Sequence, residues 1–179
     1  MKQKTRTFLK PDDLLLQAGL DSGETVADFG CGNGYYAIAA AKIVGPAGQV
    51  FALDVLEKTL SQTSSQAKLE NAYNVSTILC DLEQDGCPDI EDQSVDLVIL
   101  SSLLHQVEKK EAVLREAYRV LKTGGRLLVV EWNETSPLGP PRAERVSEKE
   151  ARLLLEKMGL RPSTDISAGS FHYAILYNK

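Results

Sequence analysis

Two hydrophobic periods alternate along the chain. Short apolar runs enriched in β-branched residues occur at Thr25–Phe29, Gln49–Val55, Val75–Cys80, Val95–Leu100 and Arg126–Glu131, and they predict five strands. In Val95–Leu100 every position but Asp96 is apolar, as a strand covered on both faces requires. Between these runs the spacing becomes helical. Tyr35–Val44 is rich in alanine and ends at Gly45-Pro46. Glu57–Ala72 is polar and helix-compatible. Within Lys109–Lys122, the residues Val113, Leu114, Ala117, Val120 and Leu121 share one stripe, with Gly124-Gly125 as the stop. Ser147 and Glu150 form a capping box before a helix with Ala151, Leu154, Leu155 and Met158 on one face, closed by Gly159. Pro11 suits the first turn of a short helix, with Asp12 and Asp13 at its positive end and Gly19 at its stop. The tail, about 163–178, reads as two strands around Ala168-Gly169.

Strands alternating with helices predict parallel strands joined by right-handed crossovers, hence an α/β doubly wound sheet with helices on both faces. Such sheets bind ligands at the carboxyl ends of their strands. That rule separates the polar residues. Gly30–Gly34, Asp54, Asp81, Ser101–His105 and Glu131 fall at the ligand end, while Glu24, Gln49 and Asp96 fall at the other.

The 179 residues fit a single domain, read as an arm over 1–10 and a core over 11–178. With 43% apolar and 25% charged residues the chain has the composition of a folded globular protein. No apolar run reaches the ~18 residues of a membrane span, and the first ten residues lack a secretory h-region. Cys31, Cys80 and Cys87 give neither a disulfide framework nor a Cys-x-x-Cys pair, so a reducing cytoplasm is the expected compartment. Net charge is −5, and the arm carries Lys2, Lys4, Arg6 and Lys10 with no acid, so the body is more acidic still. This argues against a nucleic-acid surface.

The strongest chemical signal is Asp28-Phe29-Gly30-Cys31-Gly32-Asn33-Gly34, leaving one predicted strand and opening a helix. Glycines there let a ligand approach main-chain N–H groups, and the helix N-terminus favours a carboxylate or phosphate. A dinucleotide fingerprint from Gly30 would need glycine at position 35, which is Tyr35. A nicotinamide oxidoreductase is therefore the weaker alternative. Asp54 ends the next strand 20 residues after Gly34, where a carboxylate accepts from both ribose hydroxyls of an adenosine ligand. Asp81 follows the third strand and suits an adenine amino group, with Leu82 beside the ring. Ser101 and the residues after it can hold a ligand's amino acid part.

The ordered set Asp28-x-Gly-x-Gly-x-Gly34, Asp54, Asp81, VDLVILSSLLHQV and LKTGGRLLVVEW resembles the class I S-adenosylmethionine-dependent methyltransferases over about residues 11–178. Within them it is similar to the small ubiquinone/menaquinone-biosynthesis-type (type 11/25-like) and arsenite-methyltransferase-like branches. The resemblance implies a Rossmann-like sheet of seven strands, mostly parallel, with the last, here FHYAILY, antiparallel. It also implies a transferase with S-adenosyl-L-methionine as cofactor and S-adenosyl-L-homocysteine as product. Gly30, Cys31, Gly32 and Gly34 would cradle the methionine moiety, with Asp28 at its amino group. Asp54 would bind ribose, Val55 and Leu82 would flank adenine, and Asp81 would take its amino group. Tyr35 would contact the cofactor or pack the first helix. The cysteines do not match the arsenic-binding trio of the arsenite enzymes, and the motif of base amino-methylation is absent after the fourth strand. An intact set of these residues argues against a non-catalytic partner protein that merely keeps the fold.

Methyl transfer from a sulfonium needs positioning more than side-chain chemistry. If a general base is used, His105 is the leading candidate and Glu131 the next. Trp132 would line the acceptor pocket. Arg142 and Arg145, in the Pro-rich 132–146 loop, would bind an anionic group or simply belong to a surface connection. Phe8 would fold over the site from the arm. Two distant histidines without clustered acids argue against a catalytic metal. No lid is inserted between the fourth and fifth predicted strands, and only about fifteen residues follow the fifth before the next helix, so acceptor selection falls to the arm, the His105 loop and the 132–146 loop, or to a second subunit in a homodimer. Such a site is open or completed by a partner, and it suits a small molecule or an exposed group on a larger partner better than a deeply enclosed acceptor.

Overall fold

The computed structural model describes residues 8–84, 87 and 89–179. The basic arm therefore lies mostly outside the described residues. Its elements run α1 (Pro11–Gln17), β1 (Thr25–Phe29), α2 (Tyr35–Val44), β2 (Gln49–Asp54), α3 (Glu57–Leu69), β3 (Val75–Leu79) and β4 (Val95–Ser101). They continue as α4 (Lys110–Val120), β5 (Leu121–Trp132), a short 3₁₀ turn (Arg142–Glu144), α5 (Glu148–Lys157), β6 (Arg161–Ile166) and β7 (His172–Asn178). The seven strands form one sheet in the order β3-β2-β1-β4-β5-β7-β6. The first five are parallel, and β7 runs antiparallel to both β5 and β6.

Each face of the sheet carries its own core. α1, α2 and α3 cover one face through Leu14, Leu15, Ile38, Ala41, Leu60 and Ala67. The other is covered by α4 and α5 through Val113, Leu114, Ala117, Ala151 and Leu155. The amphipathic stripe of α4 is what the sequence pattern predicts, and burial of those side chains at ~25 cal/mol per Å² drives the packing. α5 starts at the predicted cap, where the Ser147 hydroxyl accepts the Glu150 N–H at 3.1 Å. Gly159, at φ +84°, follows its end.

The glycine stop of α4 is a correction. The helix ends at Val120, and Gly124-Gly125 lie inside β5. Val95 pairs with Leu121, but Leu97 pairs with Arg126, so β5 carries extra residues that its partner does not match. Gly124 at φ +79° takes up that irregularity. At this amino end of the sheet the polar groups are structural. Glu24 pairs with Arg126 at 2.6 Å, and Asp96 accepts from Thr25 N at 2.9 Å and from Lys122 at 2.8 Å. Strand order reverses between β1 and β4, which opens a crevice at their carboxyl ends. No helix among the described residues is long and apolar enough to cross a membrane.

Candidate functional site

A cavity of about 500 Å³ occupies that crevice, and Asp28, Gly30, Cys31, Gly32, Tyr35, Tyr36 and Ser101 are among the residues that line it. The glycine loop that forms its floor is held from several sides. Cys31 N donates to Leu53 O at 2.7 Å and Gly34 N to Cys31 O at 2.8 Å. Gly32 N donates to Asp54 Oδ2 at 3.1 Å, and the Thr63 hydroxyl donates to Gly32 O at 2.8 Å. Gly34 has φ +76°, and a Cβ there would sit 2.5 Å from Thr63 Cγ2. Both backbone conformation and space demand glycine. Gly32 instead faces open space at φ +51°.

Asp28 is 1% exposed. One of its oxygens has no hydrogen-bond partner. Burial pushes its carboxyl up to about 7, the nearby Asp54 adds to the rise, and the Ala37 N–H opposes it. A buried carboxylate oxygen without a donor is costly. The Tyr36 hydroxyl is likewise buried and unpartnered. Burial drives its acidity down, the Asp28 charge reinforces this, and the Ser101 hydroxyl beside it works the other way. Burial also pushes the Cys31 thiol up to about 12, so it stays protonated.

Asp54 and Asp81 stand at the ends of neighbouring strands. Asp54 Oδ1 accepts Leu56 N at 3.0 Å, Asp81 Oδ1 accepts Glu83 N at 3.0 Å, and Cys80 N donates to Asp54 O at 3.0 Å. Val55 is exposed and Leu82 buried. Asp54, Val55, Asp81, Leu82 and Gly34 lie outside the lining of the cavity; Asp54 ends β2, and Asp81 and Leu82 follow β3. Cys80 and Cys87 are joined as a disulfide with Cα atoms 5.8 Å apart. This corrects the expectation of unpaired cysteines and removes the argument it gave for a reducing compartment.

Other expectations change as well. His105 Nδ1 lies 2.7 Å from Glu131 Oε2, and His105 N donates to Oε1 at 3.4 Å. Burial raises the Glu131 carboxyl and the imidazole beside it counteracts the rise. Neither residue lines the cavity; Gln106 does, with its Nε2 donating to Ser102 O at 2.5 Å. The pair ties the turn after β4 to the end of β5. Arg145 is not an anion site. Its guanidinium donates to the carbonyls of Pro140, Asn133, Glu134, Ser136 and Leu138 and clamps the loop. Arg142 is exposed on the 3₁₀ turn. Trp132 packs its ring on His172 with centroids 4.1 Å apart, Gly139 lies against the indole, and Trp132 is not among the residues that line the cavity. Phe8 stacks on Phe171 at 5.3 Å, and it is Leu9 that reaches the cavity. Thr63, Leu9 and Gln106 were not singled out from the sequence. Thr63 sits in a polar helix without any local signature of its long-range partner.

Comparison with known proteins follows the same lines. Residues 20–165 match the family model of a methyltransferase domain. An arsenite methyltransferase of Halobacterium salinarum is 32% identical over 120 residues, 67% of this chain and 30% of the relative. A ubiquinone/menaquinone biosynthesis C-methyltransferase of Cupriavidus taiwanensis is 36% identical over 120 residues, 67% of this chain and 48% of the relative. The chain thus spans less than half the length of these curated relatives. The crystal structure of a SAM-dependent methyltransferase from Aquifex aeolicus superposes with a TM-score of 0.87 at 27% identity, covering 95% of this chain and 89% of that one.

Proposed function

The chain belongs to the class I S-adenosylmethionine-dependent methyltransferases, in the ubiquinone/menaquinone-biosynthesis-type branch, and on that premise we propose that it methylates a small molecule. The observation that carries this reading is the orphaned, buried Asp28 carboxyl over a glycine loop, an arrangement suited to a ligand ammonium. S-adenosyl-L-methionine, when bound, supplies an activated methyl group on a sulfonium and leaves as S-adenosyl-L-homocysteine. The protein's own task is to bind and orient. Asp28 accepts the ammonium, Gly30, Cys31 and Gly32 shape the floor beside it, and Gly34 turns the loop into α2. Asp54 keeps acceptor capacity for ribose hydroxyls beyond its two backbone donors. Asp81 receives the adenine amino group, with Val55 and Leu82 on either side of the ring. Ser101 and Tyr35 close the amino acid end. Ser102, Gln106, Leu9 and Pro11 form the rim on which an acceptor rests. The His105–Glu131 pair positions that rim.

Thermal shift tests the reading. Adenosylhomocysteine at about 100 times its Kd stabilises by about 2.7 kcal/mol, which raises Tm by about 5–10 °C for a chain of this size. NAD gives no shift, and Asp54→Ala removes most of the adenosylhomocysteine effect. A shift with NAD and none with adenosylhomocysteine overturns the proposal.

A further inference from the structure

Among the described residues, two buried side-chain groups on the cavity lack a hydrogen-bond partner, Asp28 Oδ2 and the Tyr36 hydroxyl. Asp28 has been given a ligand group, and Tyr36 has none. Tyr36 is the second residue of α2, which starts directly after Gly34. Long side chains on a helix lean back toward its N-terminus, and Tyr36 accordingly lines the cavity with Asp28, Gly32 and Ser101. Its neighbour Tyr35 is 70% exposed, whereas Tyr36 is 7% exposed. A hydroxyl so deeply buried is costly to leave unpaired.

The two orphaned groups are complementary. Asp28 offers an acceptor. Burial holds the proton on the Tyr36 hydroxyl and the Asp28 charge reinforces this, so Tyr36 offers a donor. A ligand group that satisfies both carries a positive and a negative end side by side, the form of an α-amino acid at neutral pH. Its negative end must be met by neutral donors, because among the described residues no Lys, Arg or His lines the cavity. The positive end of the α2 dipole favours it there as well. We propose that Tyr36 is a specificity residue that donates its hydroxyl proton in a hydrogen bond to the ligand's carboxylate, beside the ammonium held by Asp28, so that the cavity selects a zwitterionic α-amino acid head group. For the ammonium at Asp28 this rests on the methyl-transfer reading.

Tyr36→Phe removes the hydroxyl and keeps the ring with its packing. In the ligand-free protein the hydroxyl has no partner to lose, so the variant melts no lower than the wild type. With ligand, the loss falls on one group only. A ligand without the carboxylate has nothing for Tyr36 to hold and is insensitive to the substitution.

The full chain and its Tyr36→Phe variant are titrated calorimetrically with three ligands. These are adenosylhomocysteine, its decarboxylated analogue, which keeps the ammonium, and methylthioadenosine, which lacks both charged groups. The variant binds adenosylhomocysteine about tenfold more weakly, the scale of a hydrogen bond to a charged group, and binds the other two as the wild type does. Asp28→Asn gives a different pattern, weakening both amine-bearing ligands and sparing methylthioadenosine. Unchanged adenosylhomocysteine affinity in Tyr36→Phe, or an equal loss for all three ligands, overturns the inference. So does a lower melting point without ligand, which would mean that the hydroxyl serves Ser101 in the free protein. A wild type that does not bind adenosylhomocysteine overturns the methyl-transfer reading, and this inference with it.

Discussion

A carboxyl held at about 7 in the fold, against 3.8 in an unperturbed chain, makes Asp28 a pH-dependent cost. The folded protein keeps a proton that the unfolded chain has already lost, so stability falls as pH rises from about 3.8 through about 7. Asp28→Asn removes the loss while keeping an acceptor for the Ala37 N–H. Without ligand, its Tm exceeds that of the wild type at pH 8, and the gap narrows toward pH 5. Binding has the opposite sign. A ligand ammonium favours the ionised carboxyl, so adenosylhomocysteine affinity climbs with pH up to about 7 and levels above it. Titration calorimetry in buffers of different ionisation enthalpy detects the released proton. Asp28→Asn abolishes both the slope and most of the affinity. A flat pH profile in the wild type would disprove the ammonium assignment.

The elements that deliver these residues were readable where the cause is local. β1, the glycine loop and the start of α2 follow from a strand pattern, three glycines and an alanine-rich run within twenty residues. The capping box of α5 and the tail hairpin were readable for the same reason. What the pattern missed depends on side-chain partners that no local signature marks. Thr63 supports Gly32 from α3, Arg145 gathers carbonyls from its own loop, and Cys80 meets Cys87 only once the turn has formed. The start of β5 was misplaced because pairing with Val95 outweighs the glycines that locally signal a stop. Thr63→Ala leaves Gly32 O without its donor and costs about 1–2 kcal/mol, with weaker adenosylhomocysteine binding. Thr63→Ser restores the affinity, which a purely steric role would not allow. Arg145→Ala unties five carbonyls and costs about 1–3 kcal/mol, read as a lower urea midpoint and faster proteolysis within 133–140. Arg145→Lys does not rescue it, because an ammonium lacks the planar fork. If Arg145→Ala leaves stability unchanged but weakens anion binding, the clamp assignment is wrong.

On the scale of the molecule, charge distinguishes the two forms of the cofactor. Net charge is −5 and, among the described residues, no Lys, Arg or His lines the cavity, while Asp28 does and Asp54 lies behind its floor. Adenosylmethionine carries a sulfonium and is cationic overall, whereas adenosylhomocysteine has no net charge. The field of an acidic body therefore acts on the first and scarcely on the second. Salt reports the difference, because the Debye length shrinks from about 30 Å at 0.01 M to about 3 Å at 1 M. Adenosylmethionine affinity should fall severalfold across that range while adenosylhomocysteine affinity stays nearly flat. Both Kd values come from the same competition titration, so errors in protein concentration cancel in their ratio. The same electrostatics disfavours phosphorylated or carboxylated acceptors, because Arg145 is committed to its loop. Neutral acceptors should raise the melting point of the adenosylhomocysteine complex, and anionic analogues of equal size should not. A salt slope equal for the two cofactor forms would mean that short-range contacts, not the acidic body, set their relative affinity.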